Sequence, residues 1–204
     1  MKNRNLIPIL SIEGNEEKTD QRRGKGVYGQ LTAAMSQLFE HKVMYGASVT
    51  VTTENMQEVT SDNFLNHLYK KGCKAVIYVE YVPVNDETRR LAPQEEDRSY
   101  LEARLTEVRR GYDDMLFVSF PGDEKASGGC LAAGRGFFHI NSHGGAEPCP
   151  FSPYSDTSLK TTTLRAALKS PLFLKLREQG ILTGEHTGGC VLFEKEEMVR
   201  SLAI

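Results

Sequence analysis

The sequence predicts an α/β fold followed by a small α+β unit that carries a β-hairpin. Two features of the first part support this. Four short apolar or β-branched runs read as strands, and the stretches between them place apolar residues at helical spacing. A third feature marks where that pattern ends: the rhythm breaks at Pro121-Gly-Asp, and residues 121–154 turn rich in Gly and Pro. Alternating strands and helices are the grammar of a parallel sheet with right-handed crossovers. The boundary falls near residue 121, giving segments 1–120 and 121–204.

Leu6 to Ile12 is an Ile-rich run, predicted as a strand buried on both faces. It ends at Ser11-Ile-Glu-Gly14, and a polar loop is expected to run from there to Gly26. Val27 to His41 sets Leu31, Ala34, Met35 and Leu38 on one helical face. Gly46 to Thr52 is β-branched and reads as a second strand. Ser61-Asp62 caps a predicted helix from Asn63 to Lys71, with Phe64, Leu65 and Leu68 inward and Gly72 as its stop. Lys74 to Val82 is a third strand, stopped by Pro83. Arg98 to Gly111 is a charged helix with Leu101, Leu105 and Val108 as its apolar stripe, and Met115 to Phe120 is a fourth strand. Beyond residue 121, Gly136–Asn141 and Ala146–Cys149 read as hairpin arms around a turn at Ser142–Gly145. Helices follow around Leu159–Lys169, Pro171–Gln179 and Phe193–Leu202.

With 39% hydrophobic residues in 204, a packed core is within reach. A formal net charge of -2 argues against nucleic-acid binding through a basic surface. No apolar run approaches the roughly 20 residues of a membrane span. The run at residues 6–12 is too short for a signal peptide's apolar core and cleavage site. The chain therefore reads as cytoplasmic, where four cysteines are not expected to form two disulfides. They are buried bystanders, metal ligands or redox groups.

Cys130, Cys149 and Cys190 each sit beside Gly or Pro, where a chain bends sharply and its amides approach a ligand closely. Thiolates are the usual ligands of iron–sulfur clusters. The hairpin would bring Cys130 and Cys149 to one end of a ribbon, and Cys190 would return from the last loop. Two other readings stand beside this one. The three are small buried residues, or they join His186 or His143 in a Cys3His zinc site. The spacing lacks the short Cys-x-x-Cys knuckle of structural zinc. Cys73 reads as a core residue at a strand start. His139 and His143 read as polar hairpin residues, His41 and His67 as surface residues, and Asp123-Glu124 as loop.

Cys130, Gly144 and Cys149 fit the opening of the SPASM/twitch pattern: Cys, nine to fifteen residues, Gly, four residues, Cys. The phrases Ala-Ala-Gly-Arg-Gly-Phe-Phe-His-Ile-Asn, Glu-Pro-Cys-Pro-Phe and Gly-Gly-Cys-Val-Leu-Phe-Glu are similar to the tail of a group of radical S-adenosylmethionine (radical SAM) proteins. The closely spaced cysteines of the full SPASM pattern do not follow, so the segment resembles the shorter twitch version. The resemblance implies an auxiliary 4Fe–4S cluster on Cys130, Cys149 and Cys190, with its fourth iron open or ligated by another group. Leu10-Ser-Ile-Glu-Gly14 with Asp20-Gln-Arg-Arg-Gly24 resembles the fourth strand and following loop of the family's partial (β/α)6 barrel. Residues 1–120 would then be strands 4–6 and their helices. By that likeness Ser11 and Arg23, with Arg22 as the rival arginine, touch the methionyl end of S-adenosylmethionine. Glu13 bonds a ribose hydroxyl or caps the next loop. Glu80-Tyr-Val-Pro83 lines the pocket or simply ends its strand.

The family's Cys-x-x-x-Cys-x-x-Cys motif is absent from this sequence. The resemblance therefore implies a truncated or split protein, unable alone to cleave S-adenosylmethionine. Its expected partners are a separate N-terminal radical SAM half, or a second copy through the exposed barrel edge. The intact form would modify a peptide or small molecule. The alternatives are a non-catalytic iron–sulfur or zinc module, or a non-functional fragment.

Overall fold

The computed structural model describes residues 6–83, 85–184 and 189–203. The chain divides into two units, Met1–Gly122 and Asp123–Ile204.

In the first unit β1 (Ile9–Ser11), β2 (Gly46–Val51), β3 (Ala75–Glu80) and β4 (Leu116–Phe120) form one parallel sheet in that spatial order. Helices α1 (Glu16–Arg23) and α2 (Val27–Glu40) join the first two strands. Next come α3 (Met56–Val59) and α4 (Asp62–Lys70), and α5 (Glu95–Gly111) precedes β4. Ala47, Val49 and Val51 of β2 and Val76 and Tyr78 of β3 alternate into a core shared with Leu65, Leu68, Leu101, Leu105 and Val108. The buried Tyr78 hydroxyl donates to the Val59 carbonyl at 2.8 Å, tying α3 to the sheet.

The sequence reading needs two corrections here. Leu6, Ile7 and Ile9 are 59%, 51% and 43% exposed, so the first strand is not buried on both faces. Among the described residues it lies at the sheet edge, paired with β2. Residues 15–26 are not all loop, because α1 occupies most of them. Helical periodicity misses α1 since Thr19 is its only buried residue. End effects form it instead. The Asn15 side chain accepts from the Lys18 amide at 3.0 Å, Glu16 and Glu17 lie in its first turn, and Arg22 and Arg23 lie in its last. By contrast α4 begins as predicted, with the Ser61 hydroxyl accepting from the Phe64 amide at 3.3 Å.

In the second unit β5 (His139–Ile140) and β6 (Ala146–Glu147) pair antiparallel, His139 opposite Glu147. The turn is held by the Asn141 side-chain oxygen, which accepts from the His143 and Gly145 amides at 2.9 Å each. Helices α6 (Leu164–Ala167), α7 (Pro171–Glu178), α8 (Val191–Glu194) and α9 (Glu196–Leu202) follow. Leu172, Phe173, Leu176, Leu182, Leu192 and Val199 build the core, together with Cys130 and Cys149. The helix expected at Leu159–Lys169 shrinks to one turn. The Leu159 amide is used by the Gly144 carbonyl, the Ser158 carbonyl collects the Thr161 and Thr162 amides, and Thr163 starts α6 as its cap. The last predicted helix is broken at Lys195 and starts earlier, at Val191. Among the described residues no helix is long and apolar enough to cross a membrane.

Glu80, 6% exposed at the end of β3, is gripped by Arg98 of α5. Arg98 Nε lies 2.9 and 3.1 Å from its two oxygens, and Nη2 lies 2.5 Å from Oε1. Removing one member of such a pair strands a buried charge. Arg98→Ala is expected to lower stability by about 2–4 kcal/mol, and the double variant Glu80→Leu/Arg98→Met by much less. Urea unfolding of both variants checks this.

Candidate functional site

Cys130 follows a loop that needs glycine. Gly128 and Gly129 have φ of +71° and +103°, and a Cβ on Gly129 would lie 2.5 Å from the Leu182 carbonyl oxygen. The Cys130 amide donates to that same oxygen at 2.8 Å. Arg135 clamps the loop, donating to the Cys130 carbonyl at 2.8 Å and to the Ser127 and Gly128 carbonyls at 3.1 Å. Cys149 follows β6 by way of Pro148, whose carbonyl accepts from the Ala133 amide at 3.1 Å and so ties the two cysteine segments together. Cys190 is the N-cap of α8, its carbonyl accepting from the Glu194 amide at 3.1 Å.

All three thiols are free; Cys130 and Cys149 are buried and Cys190 is half-buried. Each sulfur accepts a hydrogen bond from a backbone amide just downstream. Ala132 donates to Cys130, Phe151 to Cys149, and Leu192 and Phe193 to Cys190. The Cys149 and Cys190 side chains hydrogen-bond each other, and Cys130 interacts electrostatically with both. The shared bond raises Cys149, with burial adding to it, and lowers Cys190 against burial. Burial pushes the Cys130 thiol up to about 12. The predicted ligands are thus neighbours within the second unit. They are not already closed around an ion: among the described residues no group of three or more His, Cys, Asp and Glu side chains could hold one as it stands. The donor chemistry nonetheless fits an iron–sulfur core, which takes thiolates and is steadied by amides on its sulfurs.

The histidines proposed for a zinc site are placed otherwise. His143 is exposed at the hairpin turn. His139 Nδ1 lies 2.8 Å from Oε2 of the buried Glu147, and Asn141 donates to Oε1 at 2.6 Å. His186 and Gly188 lie outside the described residues. The sequence reading missed Glu124, whose carboxylate hydrogen-bonds the Cys130 side chain and acts on Cys190 as well. No sequence signal marks it: Asp123-Glu124 reads as loop, whereas both lie in a short 3-10 helix, Gly122–Ser127. Cys73 is fully buried in the other unit, its thiol 3.2 Å from the Ala75 carbonyl oxygen, in keeping with a core role.

In the first unit the residues named for S-adenosylmethionine gather at the carboxyl ends of the strands. Ser11 closes β1. Glu13, 2% exposed, is held by Arg23 Nη2 at 2.5 Å and Arg22 Nε at 3.4 Å. The Arg22 guanidinium also lies 5.2 Å from the centroid of the Tyr81 ring, just past β3. Gly14 (φ +121°) makes the bend, where a Cβ would meet the Glu58 carboxylate at 2.9 Å. Asn55, unremarked in the sequence, staples the edge by donating to the Glu13 and Thr50 carbonyls at 3.2 and 2.9 Å. Two guanidiniums thus face the Glu13 carboxylate, while the Glu58 carboxylate on the other side of the bend accepts from the Asn15 amide at 2.6 Å. Glu13 Oε2 is buried with no hydrogen-bond partner. Glu80 is committed to Arg98, which favours its strand-end role over pocket lining.

Burial raises the Glu13 carboxyl above its ordinary value of 4.5, with Arg23 and Arg22 pulling the other way. The folded chain keeps this proton at pH values where the unfolded chain has lost it. Its contribution to stability therefore falls as pH rises from 4.5 through the folded value. Glu13→Gln is expected to flatten that decline, as read by urea unfolding at a series of pH values between about 4 and 7.

No protein-family model matches the chain, and no curated protein matches it significantly. Solved structures do. The chain is similar to native anSMEcpe with bound AdoMet and the Cp18Cys peptide, at TM-score 0.60 and 11% identity, over 94% of this chain and 65% of that one. It is similar to native anSMEcpe with bound AdoMet at TM-score 0.58 and 12% identity, over 94% of this chain and 64% of that one. This chain therefore spans less than two thirds of the length of those proteins. At such identity the likeness is one of fold: an α/β arrangement of a parallel four-stranded sheet with helices.

Proposed function

We propose that this chain is part of a radical SAM protein and that residues 121–204 form a SPASM/twitch-like domain holding an auxiliary 4Fe–4S cluster on Cys130, Cys149 and Cys190. One observation carries this: three free cysteines, distant in sequence, each receive backbone amides on sulfur and interact with one another. A neutral thiol is a weak acceptor, whereas a metal-bound thiolate is a good one. The cysteine motif and the fold likeness to AdoMet-bound proteins support the same reading from independent directions. When bound, the cluster would supply one-electron chemistry or an iron open to substrate.

In the first unit, the strand ends of a partial (β/α)6 barrel would face S-adenosylmethionine. The Ser11 hydroxyl and a guanidinium of the Arg22–Arg23 pair suit its methionyl carboxylate. Glu13 fixes both arginines, and its unpartnered oxygen is an acceptor for a hydroxyl. The chain carries no Cys-x-x-x-Cys-x-x-Cys. Cleavage of the cofactor would draw those thiolates from another segment or polypeptide, or from a partner meeting the open edge of β1. The modified substrate would be a peptide or small molecule, in a thiol-reducing compartment such as the cytoplasm.

Reconstituted with iron and sulfide without air, the chain is expected to take up about four irons and four sulfides and to gain thiolate-to-iron absorption. Uptake of a single zinc with no sulfide would replace this reading with the Cys3His one. Each of Cys130→Ala, Cys149→Ala and Cys190→Ala is expected to cut iron content sharply, and unchanged content in all three would sink the cluster. Supplied with a polypeptide bearing the missing motif, the loaded chain should yield 5′-deoxyadenosine from S-adenosylmethionine. Arg22→Ala/Arg23→Ala should abolish that yield while leaving iron content unchanged.

A further inference from the structure

The sheet of the first unit has two faces, and its helices meet one of them. Val49 and Val51 of β2, Val76 and Tyr78 of β3 and Phe117 of β4 enter the core with α4 and α5. Side chains alternate along a strand, so the residues between these point the other way. One row across that second face reads Ser11, Ser48, Ile77, Val118, and the next reads Thr50, Val79, Phe120. All are half-buried, and the four apolar ones lie outside the core. The strand positions of this face hold no charged residue. Among the described residues the Ser11, Ser48 and Thr50 hydroxyls have no hydrogen-bond partner. Glu13 belongs to the same face, because Ile12 between it and Ser11 enters the core. Asn55 holds the Glu13 backbone to that of Thr50. Glu13 is 2% exposed, yet its Oε2 has no partner, so a buried acceptor stands ready where the hydroxyl rows end.

We propose that this face binds the substrate as an uncharged, extended peptide segment, with Ser48 and Thr50 pairing with its amides and Ile77, Val79, Val118 and Phe120 receiving an apolar side chain. The assignment rests on the radical SAM reading above, which puts S-adenosylmethionine at the end of β1 and its target beside it, over β2 to β4. Charge decides the class of substrate. An ionic group here would lose its water and find no counter-charge on the face. A hydroxyl both donates and accepts, which matches the two halves of an amide. Ser48 and Thr50 stand two residues apart on one strand, about 7 Å, which is also the repeat of an extended peptide. The apolar rows on β3 and β4 then lie to one side of that peptide, where burial of a side chain adds to the binding.

The chain contains no tryptophan, so an indole probe is read against a tryptophan-free background. The full chain is titrated with N-acetyltryptophanamide, which is neutral, with N-acetyltryptophan, an anion, and with tryptophanamide, a cation, following the emission maximum. The neutral probe is expected to shift to the blue and to bind about tenfold or more tightly than either charged one. Thr50→Val should weaken it about fivefold, Ser48→Ala/Thr50→Val about twentyfold, and Thr50→Ser should bind as the native chain does. Equal binding of the three probes overturns the assignment, and so does unchanged affinity in a folded Thr50→Val protein. Displacement of the probe by octyl glucoside in preference to N-acetylphenylalaninamide overturns it as well, in favour of a sugar. If Thr50→Val does not fold, Ser48→Ala decides by the same measure. Equilibrium dialysis with labelled S-adenosylmethionine is run alongside. Failure to bind it, with the probe pattern intact, counts against the S-adenosylmethionine reading and leaves the peptide face standing.

Discussion

A sulfur atom enclosed by protein must be satisfied by what surrounds it, and around Cys130, Cys149 and Cys190 the surroundings are backbone amides. This constraint shapes the whole second unit. The amides of Ala132, Phe151, Leu192 and Phe193 reach sulfur only because the chain bends immediately after each cysteine. Those bends account for the glycines before Cys130, the prolines on either side of Cys149 and the helix start at Cys190. The apolar core of Leu172, Phe173, Leu176 and Leu192 holds the bends in place from behind. An amide spent on a neutral thiol gains little, and one spent on a thiolate gains much. Amides and burial pull in opposite directions here: burial holds Cys130 and Cys149 protonated, and only at Cys190 does the hydrogen bond from its neighbour win.

The first unit solves a related problem with the opposite sign. Parallel strands deliver their carboxyl ends to one edge of the sheet, and ligands of such sheets bind there. At that edge the Glu13 carboxyl is buried, and Arg22 and Arg23 reach it from the last turn of α1. Asn55 locks the β1 exit to the end of β2 through backbone carbonyls. The result is a set of paired charges fixed at the exit of β1.

Much of the fold could be read from the sequence because it rests on local rules. The Ser61 cap, the Gly72 stop and the stripe of Leu101, Leu105 and Val108 each predict what is seen. What escaped left no apolar periodicity to read. Helix α1 has no apolar face to announce it. Residues 158–163 carry Ser158 and three threonines, poor in helix interiors, and the Leu159, Thr161 and Thr162 amides are drawn off by Gly144 and Ser158. The site follows the same division. Cysteines beside Gly and Pro announce themselves, whereas Glu124 and Arg135 matter only through contacts across the loop. An open barrel edge is expected from the sequence, but the exposure of Leu6, Ile7 and Ile9 is not, since a run of isoleucines reads as buried wherever it lies.

The close approach of Gly129 to Leu182 has a thermodynamic corollary. Cys130 and Cys190 are separated by a long stretch of chain, and bringing them together from a random coil would carry a large loop-closure entropy. The bond from the Cys130 amide to the Leu182 carbonyl completes that closure with protein atoms alone, just ahead of the segment that leads to Cys190. The tether is therefore formed as part of folding. On the proposed cluster reading, part of the work of gathering its ligands would then be done by folding itself.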